Sequence, residues 1–549
     1  MSVRRVMGAE TEFGVLATGN PHANATVLSS QVVTTYAALV RRRLGASRTA
    51  AGWDYHGETP LEDARGFTVP RDQADPSQLT DVAPVLTAEE VAAEALREIG
   101  SHAESLDWRQ VVMNTVLPNG ARLYVDHSHP EYSSPEVTTP RDALRWDAAG
   151  DRIALEAVRA LAASAEDTGL PAVNLYKNNT DNKSVSYGAH ENYLVPRSVP
   201  FPDLAAGLLP FFASRQVLCG AGRVGLGPRG ERPGFQISQR ADFFEREIGL
   251  ETTVHRPLVN TRDEPHADPG HHRRLHVIIG DANLAHTSTL LKFGTTALVL
   301  GLIEAGAAPD AALADPVAAL RTISHDPHLR ATVPLRDGRE LTGVQLQRLY
   351  LDAARAHEHA GGTPDEDTRE VLDLWAEVLD ALETDPLSLA DRLDWVAKHA
   401  LLLGYRRRDG LAWDDPRMTL VDLQYHDVRP EKSLHHRLVA AGRMRTLLDD
   451  HRIAEAADRP PEDTRAWFRG RLVARFPDAV AAANWDSVSL TLPTAPGTAP
   501  RGARITMPEP LALTRPETDA LLGAATGAED LVTALAAVHP ALVRTGALG

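Results

Sequence analysis

Hydrophobic positions recur at helical spacing over 29–44, where Val32, Val33, Tyr36, Leu39 and Val40 share one face, so an amphipathic helix is expected there. Ahead of it, 3–15 reads as an opening strand that carries acids. The runs 110–117 and 121–126, joined by Pro118-Asn119-Gly120, read as a hairpin, because Asn-Gly supplies the positive φ angles such a turn requires. Further strands are expected at 172–177, 185–195, 235–239 and 275–280, and strong helices at 143–162, 204–219 and 284–303. From 307 to 403 the pattern is helical and acidic. No internal repeat is present, which excludes solenoids and propellers, and the mixture of elements points to α+β or mixed α/β.

Two stretches interrupt the periodicity. Residues 45–84 are rich in Gly, Pro and Asp, yet Trp53-Asp54-Tyr55-His56-Gly57-Glu58-Thr59-Pro60-Leu61 places two aromatics close together, as an idle loop rarely does. Beyond it, Thr87-Ala88-Glu89-Glu90 has the pattern of a capping box, followed by Val91, Ala95, Leu96 and Ile99 on one face. Pro460-Pro461 and the Pro-rich run 493–500 punctuate the other end. The expected division is 1–430, with 45–108 as an insertion, and a smaller unit over 431–549.

Composition narrows the class. With 43% hydrophobic and 24% charged residues among 549, the chain is an ordinary soluble globular protein. Its longest charge-free apolar run, 293–303, falls short of the ~18 residues a membrane span needs. The N-terminus has acids where a signal peptide would have an apolar core, and Cys219 is the sole cysteine. A cytoplasmic protein is expected. The net charge of −17 argues against general nucleic-acid binding. The basic runs Arg41-Arg42-Arg43, Arg273-Arg274 and Arg406-Arg407-Arg408 read first as solvated charges near helix ends.

Chemistry enters through residues two apart on expected strands, which share a face. Glu10 pairs in this way with Glu12, Tyr124 with Asp126, and His190 with Asn192. Two acids on one face repel unless a cation lies between them, and Mg²⁺ suits oxygen ligands beside a phosphate. The bland alternative for Glu10 and Glu12 is a solvent-facing strand edge. Asp126-His127-Ser128-His129-Pro130-Glu131-Tyr132 concentrates two carboxylates and two imidazoles at a strand end. It could suggest zinc, but no cysteine or spaced third histidine completes such a site, so a zinc hydrolase is the lesser reading. His276, alone among Val and Ile, reads on its own as a core histidine; the polar run Asn260 to His266 before it favours a ligand. Gly220-Ala221-Gly222-Arg223-Val224-Gly225 mimics a phosphate loop but follows a helix, so a dinucleotide fold fails.

These segments carry a family signature. Gly8-Ala9-Glu10-Thr11-Glu12-Phe13-Gly14, Asn119-Gly120-Ala121-Arg122-Leu123-Tyr124-Val125-Asp126, His129-Pro130-Glu131-Tyr132, Tyr176-Lys177-Asn178-Asn179, Tyr187-Gly188-Ala189-His190-Glu191-Asn192-Tyr193, Ser238-Gln239-Arg240 and 260–283 occur in order. Together they resemble the carboxylate–amine ligase superfamily of glutamine synthetase and glutamate–cysteine ligase. Within it, they resemble the enzymes of prokaryotic ubiquitin-like protein (Pup) tagging. The resemblance implies an α+β fold: a curved, mostly antiparallel sheet cradle packed by helices, catalytic over 1–430, with a smaller C-terminal domain. The family has two branches. Ligases join the C-terminal glutamate of Pup to a lysine; depupylases hydrolyse that isopeptide bond or deamidate a C-terminal glutamine of Pup. The long separation of Glu10 from Asp126, the segment around Trp53 to Phe67, and the five-position step from Asp126 to Glu131 are similar to the depupylase branch. The spelling Gly8 to Gly14 is closer to the ligases.

The resemblance further implies roles. Glu10, Tyr124, Glu131, His190 and His276 would hold Mg²⁺, Ser133, Ser134, Asn192 and Ile278 would touch ATP, and Asp126 would be the catalytic acid residue. Trp485 would stack on adenine. Arg240 is a phosphate or oxyanion partner on the chemistry of its guanidinium. The expected partner is Pup and pupylated proteins, with neither nucleic acid nor membrane. A Pup ligase and a non-catalytic ATP-binding Pup reader are the rivals.

Overall fold

The computed structural model describes residues 2–20, 22–47, 51–81, 112–168, 172–181, 185–361, 363–494 and 501–547. The expected capping box at 87–90, the helical face after it and the start of the hairpin at 110–111 lie outside them.

The centre is a six-stranded antiparallel sheet. Its strands are β1 (Met7–Glu12), β2 (Asn114–Val116), β3 (Arg122–Asp126), β4 (His129–Ser133), β5 (Ala189–Pro196) and β6 (His272–Val277), in the spatial order β6-β5-β1-β4-β3-β2. Every neighbouring pair is antiparallel. Alternation along the strands separates two faces. Leu123, Val125, Tyr132, Tyr193, Val195, Leu275 and Val277 point to the buried side and join the main core. Helix Pro140–Thr168 packs there on β1, helix Ala25–Leu44 on β3 and β4, and helix His286–Glu304 on β5. Asn24 caps the second of these by accepting the backbone N–H groups of Thr26 and Val27. The opposite face of the sheet is polar.

The hairpin expected about Asn119-Gly120 joins β2 to β3, closed by Gly120 N–H to Leu117 O at 2.9 Å and Leu117 N–H to Ala121 O at 2.8 Å. Gly120 has φ +80, and a Cβ there would press on Ala466 O at 2.9 Å, so only glycine fits.

A second core lies around Phe468, Leu472, Val488, Leu490, Ile505 and Leu531. Its five-stranded sheet has the order Val543–Ala547, Arg501–Thr506, Ser487–Leu492, Val480–Ala483 and Gly52–Trp53. The last strand comes from the opposite end of the chain and runs parallel to Val480–Ala483. The architecture is α+β, with mostly antiparallel pairing.

Several expected elements have different limits. The strand at 3–15 is two strands, because the chain leaves the main sheet at Phe13 and Gly14–Ala17 pairs with Val173–Tyr176. The helix at 204–219 stops at Ser214 and resumes at Gln216–Cys219; the Arg215 between them is drawn to Glu191 beneath the sheet. Within the helical stretch 307–403 lies a small hairpin, Thr332–Pro334 with Glu340–Thr342. Among the described residues no helix is long and apolar enough to cross a membrane.

Candidate functional site

Register decides what the polar face presents. Glu10 lies opposite His190 on one side and Ser133 on the other, and Glu12 lies opposite Glu131. Asn192 opposes His276, Tyr124 opposes Glu131 and Asp126 opposes His129. Directly opposed residues share a face, so acids and imidazoles from five strands converge on one surface.

They form two adjacent groups. The ligand atoms of Glu10, His190 and His276 lie within 4.8 Å of one another, and so do those of Glu12, Asp126 and Glu131. Glu10 accepts from Asn192 Nδ2 at 2.8 Å and meets His190 Nδ1 at 3.2 Å. His276 is 4% exposed, yet neither ring nitrogen has a hydrogen-bond partner among the described residues; Nε2 lies 3.6 Å from Glu10 Oε2. A buried imidazole with two unpaired nitrogens costs free energy unless something else binds it.

Electrostatics points the same way. Burial alone would favour protonated Glu10, but His190 and His276 outweigh it and hold the carboxyl well below its usual range. Glu12 is held at about 2 against burial, chiefly by His129. Burial drives His276 down to about 3, leaving a neutral ring with a lone pair to donate. Glu131 moves the other way, pushed well above the ordinary carboxylate range by burial and then by the charges of Asp126, Glu12 and Glu10. Four acids on one surface are mutually destabilising, and a divalent cation relieves that repulsion.

Asp126 stands at the rim, its side chain 28% exposed. β3 and β4 are joined by His127 and Ser128 alone, with φ +41 and +77. A two-residue turn with both φ angles positive follows the twist of the strands, but each non-glycine residue there costs about 1–2 kcal/mol. The N-terminal turns of helix Ala25–Leu44 hold it: Ser29 Oγ donates to Ser128 O at 2.8 Å and Thr26 Oγ1 meets Ser128 Oγ at 2.7 Å. His127 Nδ1 lies 2.6 Å from Asp126 Oδ2, and that hydrogen bond raises the imidazole to about 9.

The surface floors a cavity of about 520 Å³ that brings together Glu10, Tyr124, Asp126, Glu131, His190 and His276. Arg122, Arg262 and Arg274 line it, and Tyr55, Glu58 and Thr80 close it from the segment 51–81. A smaller cavity of about 80 Å³ adjoins it, with Glu10, Ser133, His266, Arg274 and Trp485 common to both, and adds Ser134 and Asn192. Trp485 packs edge-on against Trp53, ring centroids 5.2 Å apart, so the second unit reaches the mouth of the site. Two expected site residues stand elsewhere. Ile278 is fully buried and lines neither cavity. Arg240 is 1% exposed and spends its guanidinium on the carbonyls of Ile278 and Gly280 and on Ser186 Oγ.

Some lining residues escaped the sequence reading. Arg122 and Arg274 precede Tyr124 and His276 by two positions, so strand alternation alone places them on the same face. Glu58, raised to about 7 by burial, donates nothing to any period, and only the structure brings it to the cavity.

The family described as Pup-ligase protein matches residues 5–489. The chain belongs to the Pup-ligase family. Among curated members of this family, the depupylase of Acidothermus cellulolyticus is 52% identical over 97% of this chain and 99% of its own length. The Pup deamidase/depupylase of Mycobacterium tuberculosis is 49% identical over the same shares. The Pup–protein ligase of Acidimicrobium ferrooxidans is 42% identical over 74% of this chain and 88% of its own length. Among solved structures, the complex of Pup with its ligase PafA matches with a TM-score of 0.73 at 30% identity, covering 98% of this chain and 95% of that one. The ligase PafA with ADP matches at 0.67 and 34%, covering 80% and 94%. The Pup-ligase fold is therefore the fold of this chain.

Proposed function

We propose that the chain is a depupylase and Pup deamidase. It hydrolyses the isopeptide bond between the C-terminal glutamate of Pup and a substrate lysine, and deamidates a C-terminal glutamine of Pup, using ATP and Mg²⁺. The observation that carries this reading is sequence identity sustained over the whole chain: the depupylase relatives are 52% and 49% identical over 97% of it, the ligase relative 42% over 74%. The ADP named for one ligase structure supports a nucleotide site, and Ser133, Ser134, Asn192 and Trp485 border the small cavity that would take the nucleoside. Ile278 and Arg240 would act from behind the wall, with Arg240 fixing the carbonyls at 278 and 280.

Glu10, Tyr124, Glu131, His190 and His276 would hold the cation, with Glu12 beside them. The unpaired nitrogens of His276 and the crowded carboxylates fit an ion of the Mg²⁺ or Mn²⁺ class. When bound, the cation would polarise the scissile carbonyl and stabilise the negative charge that develops on its oxygen. Asp126 is the exposed acid at the rim, oriented by His127, and meets the incoming amide. Its carboxylate attacks the carbonyl carbon, expelling the amine and leaving an anhydride that water opens, or serves as base for the attacking water. Hydrolysis of an amide is downhill and needs no net phosphoryl transfer. The separate core around Phe468 supports a smaller C-terminal domain within 431–549, and the sole cysteine, Cys219, supports a cytoplasmic location.

The test is incubation with a pupylated protein, ATP and Mg²⁺. Release of free Pup and intact target, abolished by EDTA, is the expected result. New conjugates formed from Pup ending in glutamate would assign the ligase reaction, and Pup binding without turnover would assign a reader.

A further inference from the structure

Cleavage of an amide needs a proton as well as a nucleophile, because the amine leaves a tetrahedral carbon only once its nitrogen is protonated. Asp126 acts as nucleophile or as base, so that proton comes from another group. Most imidazoles about the cavity are unsuited to supply it. Burial drives His276 to about 3 and His266 to about 4, which leaves both neutral. His190 is turned to Glu10, with Nδ1 3.2 Å from the carboxylate. His129 stacks on Tyr187, ring centroids 4.3 Å apart, and lies 3.4 Å from Glu12.

His127 is placed differently. It lines the cavity beside Asp126, its side chain is 37% exposed, and its Nδ1 lies 2.6 Å from Asp126 Oδ2. That hydrogen bond and the charge of Asp126, then the charge of Glu12 and the Ser77 carbonyl facing the ring, favour its protonated form against burial. Asp75 lies within the field of the same ring. A carbonyl carbon bonded to the Asp126 oxygen carries the leaving nitrogen one bond further on. A proton held this close to the carboxylate is therefore within hydrogen-bond reach of that nitrogen. The turn itself does not call for an imidazole: at φ +41, Asn or Gly would sit with less strain.

We infer that His127 is a second catalytic residue, which gives the proton on its ring to the scissile nitrogen as the carbon–nitrogen bond breaks. The inference rests on the depupylase reading and adds the acid that reading lacks. With Asp126 as nucleophile, its oxygen bonds to the carbonyl carbon, the bond to nitrogen breaks, and His127 protonates the departing amine and becomes neutral. Water then opens the anhydride. Two carboxylates form and two protons are released: one restores the imidazolium of His127, and the other leaves with the freed amine as ammonium. With Asp126 as base, His127 gives the same proton and is restored by the one that Asp126 took from water. Ammonia leaves a C-terminal glutamine by the same step.

The test varies the leaving group. His127→Asn keeps the turn, since Asn tolerates positive φ, and keeps an N–H for Asp126 near the place of Nδ1, but its amide has no proton to give. With ATP and Mg²⁺, the full chain is offered a pupylated reporter and, separately, Pup whose terminal glutamate carries a hydroxycoumarin ester on its γ-carboxyl. The phenolate of the ester leaves without a proton. His127→Asn should lower kcat on the isopeptide by about 10²–10⁴, and on the ester by less than about tenfold. His127→Gln, also a donor without a proton to release, should show the same split. Equal losses on both substrates would mean that His127 only positions Asp126, and overturn the inference; so would isopeptide turnover equal to wild type in both variants. Wild type that cleaves neither substrate overturns the depupylase reading itself, and the inference with it.

Discussion

The carboxylate of Asp126 meets the cavity because the two residues after it take left-handed φ angles and reverse the chain at once. Its position owes more to the turn than to its own contacts, so Asp126→Asn should fold and bind Pup normally. Turnover should drop by about 10²–10⁴, the usual contribution of a positioned acid or base, read as the rate of Pup release. Asn192 makes a different prediction. It donates to Glu10 at 2.8 Å and accepts from Arg274 at 3.0 Å, so it orients a carboxylate of the proposed cation site. Asn192→Leu should weaken divalent-ion affinity about 10–100-fold, measured by Mn²⁺ titration, with little loss of stability.

At the scale of elements, strand alternation made the polar face legible: Glu10 with Glu12, Tyr124 with Asp126, and His190 with Asn192 do share one surface. What the sequence could not disclose was the register that sets β1 between β5 and β4, since pairing partners leave no period in either strand. Gly52–Trp53 was illegible as a strand for a related reason, because two residues carry no alternation. The chemistry of Arg240 suits phosphate, but no pattern in the sequence tells that the fold turns its guanidinium to the carbonyls of Ile278 and Gly280 and to Ser186 Oγ. A testable joint lies just after β4. Burial opposes ionisation of Glu136, but Arg469 and Arg465 outweigh it and hold the carboxyl at about 2. Because the folded value is below the unfolded one, the stabilisation is complete above the ordinary carboxylate range and is lost as pH falls from about 4.5 towards 2, on the order of 3 kcal/mol in all. Glu136→Gln strands two buried guanidiniums and should cost about 3–5 kcal/mol at neutral pH. Followed down to about pH 3, the urea midpoints of wild type and variant should draw together without meeting, because the folded value lies near 2.

For the molecule as a whole, ion binding and stability should be linked. The acids of the two groups repel in the absence of a cation, so EDTA should remove turnover and lower the urea midpoint together. Mg²⁺ or Mn²⁺ at about a hundred times its dissociation constant should restore about 2.7 kcal/mol. A midpoint indifferent to chelation would mean that the acids are not an ion site. The family was legible because its motifs are continuous within strands and turns. The closure of the site by Trp485 and Trp53 was not, since those residues come from opposite ends of the chain and from the edge of a separate sheet.

That same edge has a consequence during synthesis. Gly52 leaves the ribosome about 430 residues before Ala482, which at roughly 5–20 residues per second is roughly 20 to 90 seconds. Throughout that interval the edge of Gly52–Trp53 lacks its partner strand, and Trp53 has Glu58 and Arg122 to cover it but not Trp485. Slowed translation or a shortage of holding chaperones should therefore harm the yield of this protein more than its equilibrium stability would suggest.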